Sequence, residues 1–465
     1  MHPRFRWVFD TELEGRTRSA TLPAVQLLTL SFAGLIGVGT LGFLLLPGLY
    51  TGPRLSVIDA LFTATSAVCV TGLVVVDTAT FFTGWGQAWI ALLIQLSGLG
   101  ILTIATLIIL ALGRRPALAV GESVGQQVPR RFGSPRAVLR AVVVVTFVAE
   151  GAGAVVLWLS WGGEMGWAGA VWPAVFHAVS AFCNAGFSTF STSLVGLRAH
   201  LPTLTTISAL VILGGLGFVV LTDVWVRVVP RTTRRLSLHT TLVLTTTVVL
   251  LVVGTVLFYL FEAANVLGGM GGVTRALNAA FMSVTARTAG FNTVDYGAIS
   301  DTSVVLTIIF MVIGGSPGST AGGIKTTTAA LLALLFVSYL RGRRDVSVRH
   351  RSVRPEHIAL ATGLAVGTVA LLAAAVFVLM VSELPVNVQD RTLLVRATFE
   401  AASAFGTVGL SMGLTTALTT AGKLVITFLM FLGRVGPLTL AASMAIAAQR
   451  RQAHYRHAFE DVVVG

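Results

Sequence analysis

The chain reads as an all-α membrane protein: four tandem helix, pore-loop, helix units in fourfold pseudosymmetry around one central pore. Three observations predict this. Hydrophobic residues make up 55% and charged residues 11% of the 465 positions, a composition that belongs to polytopic membrane proteins. Eight apolar stretches are long enough to cross ~30 Å of hydrocarbon as helices. One short motif recurs four times at nearly even intervals: SAVCVTGL (66–73), SAFCNAGF (180–187), VTARTAGF (284–291) and SAFGTVGL (403–410). The repeat is far longer than a solenoid unit. Each copy has room for two membrane helices and a loop between them.

The apolar stretches run at about 24–48, 86–112, 138–160, 203–229, 240–261, 303–340 with an interruption, 356–382 and 420–448. In order, the expected organisation begins with a cytoplasmic tail (1–23), pore unit 1 (24–112) and a cytoplasmic loop (113–137). Pore unit 2 (138–229), a second loop (230–239) and pore unit 3 with an interrupted last helix (240–340) follow. A third loop (341–355), pore unit 4 (356–449) and a cytoplasmic tail (450–465) complete it. No small-residue cleavage site stands behind the first span, which is read as a retained helix.

Sidedness comes from the arginines. They gather ahead of the first span (Arg4, Arg6) and after the second (Arg114, Arg115, Arg130, Arg131), fourth (Arg231, Arg234, Arg235), sixth (Arg341, Arg343, Arg344) and eighth (Arg450, Arg451). By the positive-inside rule both termini and these loops are cytoplasmic. The opposite connections hold many of the acids, among them Asp59, Asp77, Glu164, Asp295, Asp301 and Asp390, which would concentrate cations at a pore mouth. The net charge of +13 therefore serves topology and lipid headgroups. It does not imply nucleic acid.

Inside each unit a shorter apolar stretch, at about 55–68, 170–183, 273–286 and 392–405, ends at the glycine motif. It is read as a half-length helix that enters from outside and returns as extended chain. Such backbone is tolerated at membrane depth only where it is buried or lines a water-filled path. Glycine takes the φ values that turn carbonyls toward one axis without steric cost, and rings of carbonyls replace the hydration shell of a dehydrated cation. The expected ion-binding filter is Val70, Thr71 and Gly72; Asn184, Ala185 and Gly186; Thr288, Ala289 and Gly290; Thr407, Val408 and Gly409. The helices that precede it aim their negative ends at the ion. Close helix packing is the other use of such glycines, but four at one offset favour the filter.

The two cysteines, Cys69 and Cys183, share one motif position and are read as small packing residues. No His or Cys cluster has metal-ligand spacing, and no nucleophile has a base beside it. No enzyme activity and no organic cofactor are expected.

On these motifs the chain resembles the bacterial Trk/Ktr potassium-uptake superfamily, related to fungal Trk and plant high-affinity potassium transporters. The likeness runs from about residue 24 to 448 and is greatest to the Ktr-type membrane subunit. It implies a potassium-selective, channel-like subunit in the bacterial cell (inner) membrane, carrying K+ and no organic cofactor. It also implies a homodimer and a cytosolic ring of nucleotide-binding regulatory subunits of the RCK type. In related plant proteins a serine at the first filter glycine goes with sodium permeation; Gly72 implies potassium.

A gate is expected below the filter. The run Gly314, Gly315, Ser316, Pro317, Gly318, Ser319, Thr320, Ala321, Gly322, Gly323 is too rich in glycine and proline for helix, and would lie as a flexible plug across the path. It is no phosphate loop: GSTAGGIKT (318–326) lacks Gly-Lys-Thr in succession and a preceding strand. Arg434, central in the last span, costs ~2.5–3.5 kcal/mol unpaired even on lenient scales. It must face the bundle interior, and with the resemblance it is read as holding the loop shut and repelling cations, or otherwise as a pin between helices. Lys325 opens the second half-helix and has a structural or a gating role. Arg287 is expected behind the filter, paired with Glu400 or Glu262. Asn184, Asn278 and Asn292 would brace the loops, and Glu150 and Asp223 would link helices. A cation-coupled secondary active transporter, a K+/Na+ or K+/H+ symporter with midplane sites on broken helices, is the rival function. All four units point the same way, which favours a pore.

Overall fold

The computed structural model describes residues 24–100, 135–228, 236–343, 346–348, 351–353, 355–384 and 392–436. The expected tails 1–23 and 450–465 fall outside these residues. So do the span ends 101–112 and 437–448 and all or part of the three loops.

The first repeat contributes α1 (Ala24–Leu45), α2 (Val57–Val68), a single turn α3 (Thr78–Phe81) and α4 (Gly84–Gly98). The second contributes α5 (Pro135–Met165), α6 (Trp167–Phe182), α7 (Leu201–Leu216) and α8 (Phe218–Val228). The third contributes α9 (Leu238–Glu262), α10 (Gly272–Thr285), α11 (Asp301–Val312) and α12 (Thr326–Leu340). A two-residue hairpin, β1 (Ser347–Val348) against β2 (Arg351–Ser352), precedes α13 (Pro355–Glu383), α14 (Leu393–Gly406) and α15 (Thr420–Val435). The hairpin is a minor departure from the all-helical expectation.

Three of these helices are each long and apolar enough to cross a bilayer: Leu139–Met165, Leu238–Glu262 and His357–Glu383. They carry exposed apolar faces, with Val148, Leu159, Val252, Leu260, Val369 and Phe377 all more than half exposed. Water does not support such faces on α5, α9 and α13, whereas lipid does, and the chain is an integral membrane protein.

The expected fourth span, 203–229, is not one helix. It bends by 98° between α7 and α8. Gly217 sits at φ +80, and the amide of Phe218 donates to Gly318 O at 3.3 Å and leaves the α7 ladder. Among the described residues, the second helix of every repeat ends or breaks at the matching place. Gly100 has φ +88 after α4 and Gly436 has φ +88 after α15, and residues 313–325 separate α11 from α12. The sequence reading found only the third of these.

Each short helix packs against the long helix before it, α2 on α1, α6 on α5, α10 on α9 and α14 on α13. Each also packs against the second helix of the neighbouring repeat: α4 on α6, α7 on α10, α11 on α14, and α15 back on α2. That last contact closes the bundle. One apolar core joins the first and last repeats through Phe43, Phe62, Ile90, Leu379, Ile426 and Met430.

The starts of α11 and α15 are fixed by capping. Ser300 Oγ accepts from Ser303 N at 3.3 Å, and Thr419 Oγ1 accepts from Gly422 N at 3.2 Å. A carboxylate at the end of the preceding long helix then holds each cap. Glu262 accepts from Ser300 N at 2.9 Å and Oγ at 2.6 Å, and Glu383 accepts from Thr419 N at 3.0 Å and Oγ1 at 2.7 Å.

Candidate functional site: a glycine ring and the loop beneath it

The short helices α2, α6, α10 and α14 end where the motif begins. Two residues before each motif glycine the backbone enters the left-handed region, at Val70 (φ 56), Asn184 (φ 60), Thr288 (φ 70) and Thr407 (φ 50). Non-glycine residues held there cost about 1–3 kcal/mol each. The surroundings hold them by hydrogen bonds back to the helix end. Thr71 N donates to Ser66 O at 2.8 Å, Ala185 N to Ser180 O at 2.7 Å, Ala289 N to Thr285 O at 3.1 Å and Val408 N to Ser403 O at 2.8 Å. The motif serines add to this. Ser66 Oγ accepts from Gly72 N and Ser403 Oγ from Gly409 N, both at 3.1 Å, while Ser180 Oγ donates to Phe187 O at 2.8 Å. In the third copy, where valine replaces serine, Thr285 Oγ1 donates to Phe291 O at 2.5 Å.

The glycines themselves have φ +89 (Gly72), +71 (Gly186), +78 (Gly290) and +94 (Gly409). A Cβ on Gly72 would fall 2.3 Å from Ala185 O, on Gly186 2.8 Å from Ala289 O, on Gly290 2.3 Å from Val408 O, and on Gly409 2.3 Å from Thr71 O. Each segment thus touches the next and the fourth touches the first. Both backbone angle and space exclude any side chain at these four positions. Thr71, Ala185, Ala289 and Val408, which supply the carbonyls between them, are at most 1% exposed.

The run 314–323 is tightly pinned where a flexible plug was expected. Its ends pair through Gly314 N to Ile324 O at 2.8 Å and Ile324 N to Val312 O at 3.1 Å. Ser316 N donates to Gly215 O at 3.0 Å, and Thr320 N to Gly214 O at 3.4 Å, at the α7–α8 bend. Gly323 N donates to Gly433 O at 3.3 Å. Arg434, 6% exposed, donates through Nη1 to Thr320 O and through Nη2 to Ser97 O at 3.2 Å and Ser97 Oγ at 3.3 Å. Its guanidinium also stands 5.8 Å from the Phe32 ring centre, a favourable cation–π distance. Lys325 Nζ donates to Ala321 O at 2.6 Å. The loop therefore bonds directly to the second helices of two other repeats and reaches the remaining one through Arg434. It abuts the ring as well, because a Cβ on Gly322 would fall 2.3 Å from Thr407 Oγ1. A cavity of about 300 Å³ beside the loop is lined by Gly98–Gly100, Phe218, Pro317–Ala321, Lys325, Thr368 and Arg434.

Several bracing residues fall where the sequence placed them, with partners it did not name. Asn184 reaches Thr288 of the next segment at 3.1 Å. Asn278 donates to Arg198 O at 2.8 Å and Asn292 Nδ2 to Val294 O at 3.1 Å. Glu150 accepts from Gln95 Nε2 at 3.1 Å and from Cys183 Sγ at 3.7 Å, and Asp223 accepts from Ser237 N at 3.0 Å. The expected pairing of Arg287 is absent. Glu400 is taken by Ser411 and Thr415, and Glu262 by Ser300 and Asn265. Arg287 is 9% exposed and its Nε has no partner. The bend at Gly217 and the positive-φ ends at Gly100 and Gly436 do not follow from span length; their signal is the paired glycines Gly98 and Gly100, Gly214 and Gly217, and Gly433 and Gly436.

Known proteins are similar to this chain along most of its length. The potassium/sodium uptake protein NtpJ of Enterococcus hirae is 37% identical over 98% of this chain and 100% of its own length. The Ktr system potassium uptake protein B of Bacillus subtilis is 37% identical over 95% of this chain and 96% of its own, and that of Vibrio alginolyticus 38% over 93% of each. The solved potassium transporter TrkH of Vibrio parahaemolyticus has the same fold, with a TM-score of 0.71 at 20% identity over 92% of this chain and 86% of that one. With the TrkH cation transport protein model matching residues 35–455 as well, the chain belongs to the TrkH cation transport family.

Proposed function

We propose that this chain is the potassium-translocating membrane subunit of a Trk/Ktr-type uptake system, with channel-like permeation through a single-glycine filter. One observation carries this reading: each motif glycine lies against the carbonyl of the residue just before a neighbouring segment's glycine, so that the four segments close a ring. In the proposal the four helix, pore-loop, helix units keep the expected boundaries, and the carbonyls of Val70, Thr71, Gly72, Asn184, Ala185, Gly186, Thr288, Ala289, Gly290, Thr407, Val408 and Gly409 replace the water around K+. Gly314–Gly323, Lys325 and Arg434 form the closed gate. Arg434 acts in two ways. Its bonds to Thr320 and Ser97 hold the loop across the path, and its buried charge repels an entering cation.

The unit works as a homodimer in the bacterial inner membrane, both termini cytoplasmic, under an RCK-type nucleotide-binding subunit. The relatives named Ktr system proteins support that partnership. The family is one of cation transporters and not an enzyme class. One relative is named a potassium/sodium uptake protein, so sodium is the ion to test against.

The test is growth rescue and rubidium uptake in a bacterium lacking potassium transport, with and without a co-expressed regulatory subunit. Rescue with currents that reverse at the potassium equilibrium potential is expected. Obligatory coupling of rubidium entry to a sodium or proton gradient would replace this reading with a coupled carrier.

A further inference from the structure

The four left-handed positions Val70, Asn184, Thr288 and Thr407 match in backbone and differ in side chain. Only one seam of the ring, among the described residues, has a side-chain hydrogen bond across it at this level. Asn184 is 1% exposed, and its amide faces Ala181 O at 3.2 Å, Val211 O at 3.1 Å and Thr288 Oγ1 at 3.1 Å. Two of these are carbonyls, which only accept. The NH2 group must therefore face them, leaving the amide oxygen to accept from the Thr288 hydroxyl. One side chain thus ties the end of α6, the middle of α7 and the third ring segment to the second. Nothing comparable holds the other seams: Val70 has no polar atom to offer, and the Thr407 hydroxyl is buried without a partner.

A carbonyl ring that resists closing around a smaller cation favours the larger one, one of the two ways such a ring selects. Backbone strands without cross-links give way easily. We propose that Asn184 is a specificity-determining positioning residue, whose clamp on Thr288 holds the second and third segments at the spacing that favours potassium over sodium. This rests on the reading of the glycine ring as the ion path. The clamp also joins the ring to α7 just above the bend that holds the loop, through Val211. Selectivity and gate thus share one support.

The test compares rubidium and sodium flux into proteoliposomes for the full chain and for Asn184→Leu, Thr288→Val, their combination and Thr288→Ser. The singles should raise the sodium-to-rubidium flux ratio about tenfold, the scale of losing a buried hydrogen bond. The combination should raise it no further, since the same bond is lost. Thr288→Ser, which restores the hydroxyl, should recover the ratio that Thr288→Val loses. Should Asn184→Leu not assemble, Thr288→Val against Thr288→Ser decides, because it leaves the amide its two carbonyls. An unchanged ratio in Thr288→Val, additive effects in the combination, or equal behaviour of Ser and Val at 288 would overturn the clamp. Wild-type protein that carries neither rubidium nor sodium would instead sink the ion-path reading itself.

Discussion

Alanine at the four ring glycines should damage transport in an order set by the geometry. At Gly72, Gly290 and Gly409 the new Cβ falls 2.3 Å from a neighbouring carbonyl oxygen, and at Gly186 2.8 Å. Ordinary contact lies near 3.4 Å. Three of the sites therefore need a shift on the order of 1 Å and the fourth roughly half of that, in an interior packed as tightly as a crystal. To the clash is added the left-handed φ, about 1–2 kcal/mol for a residue with a Cβ, while overpacking costs about 1–3 kcal/mol. Together these come to ~2–5 kcal/mol, or roughly thirty- to several-thousandfold in any equilibrium that depends on the ring. Rubidium uptake per assembled protein, with sodium as competitor, reads the effect. Gly52→Ala, where a Cβ meets nothing within 4 Å, is the control. Gly186→Ala should be the mildest of the four. Near-normal uptake and selectivity at Gly72, Gly290 and Gly409, or Gly186→Ala as the worst, would refute the reasoning.

Other perturbations address the loop and its supports. Arg434→Ala removes charged hydrogen bonds worth about 1.5–3 kcal/mol each and should raise rubidium uptake at least tenfold without a regulatory subunit. Arg434→Lys, which keeps the charge and loses the planar fork, should fall between, and wild-type flux in both would reject the latch. Gly217→Ala places a Cβ 3.1 Å from Gly318 backbone atoms at φ +80; it should loosen the Phe218 to Gly318 bond and raise basal flux, whereas flux equal to wild type would show that the bend does not hold the loop. Glu383→Ala strips the Thr419 cap of its acceptor and should cost about 1–3 kcal/mol, seen as a lower thermal midpoint in detergent with the sodium-to-rubidium ratio unchanged. A changed ratio would place Glu383 in the path.

Much of this was legible in the sequence because some residues have few structural uses. A glycine repeated at one offset behind an apolar half-helix marks backbone that no side chain tolerates, and the structure brings all four into contact. The interruption of the sixth span was legible because Pro317 stands among five glycines. The bend at Gly217 and the helix ends at Gly100 and Gly436 were less so, since even paired glycines in a helix cost only about 1 kcal/mol each. What turns Gly217 into a bend is tertiary, the capture of the Phe218 amide by Gly318. Arg287 was misjudged for a similar reason. Charge complementarity pointed to Glu262 or Glu400, but both are already saturated by hydroxyls and helix caps. Asn184 could be read as a brace from its type, yet its partner Thr288 lies 104 positions away, where no local pattern reaches.

The contact of α15 with α2 has a consequence for how the molecule is made. Lys423 Nζ and Asp59 Oδ1 meet at 2.6 Å across 364 positions, so the bundle cannot close until nearly the whole chain has left the ribosome. Until then the nascent protein holds an open flank with Asp59 and the first glycine segment uncovered. Joints between such distant stretches form slowly. This seam is therefore the last joint that the growing chain can complete.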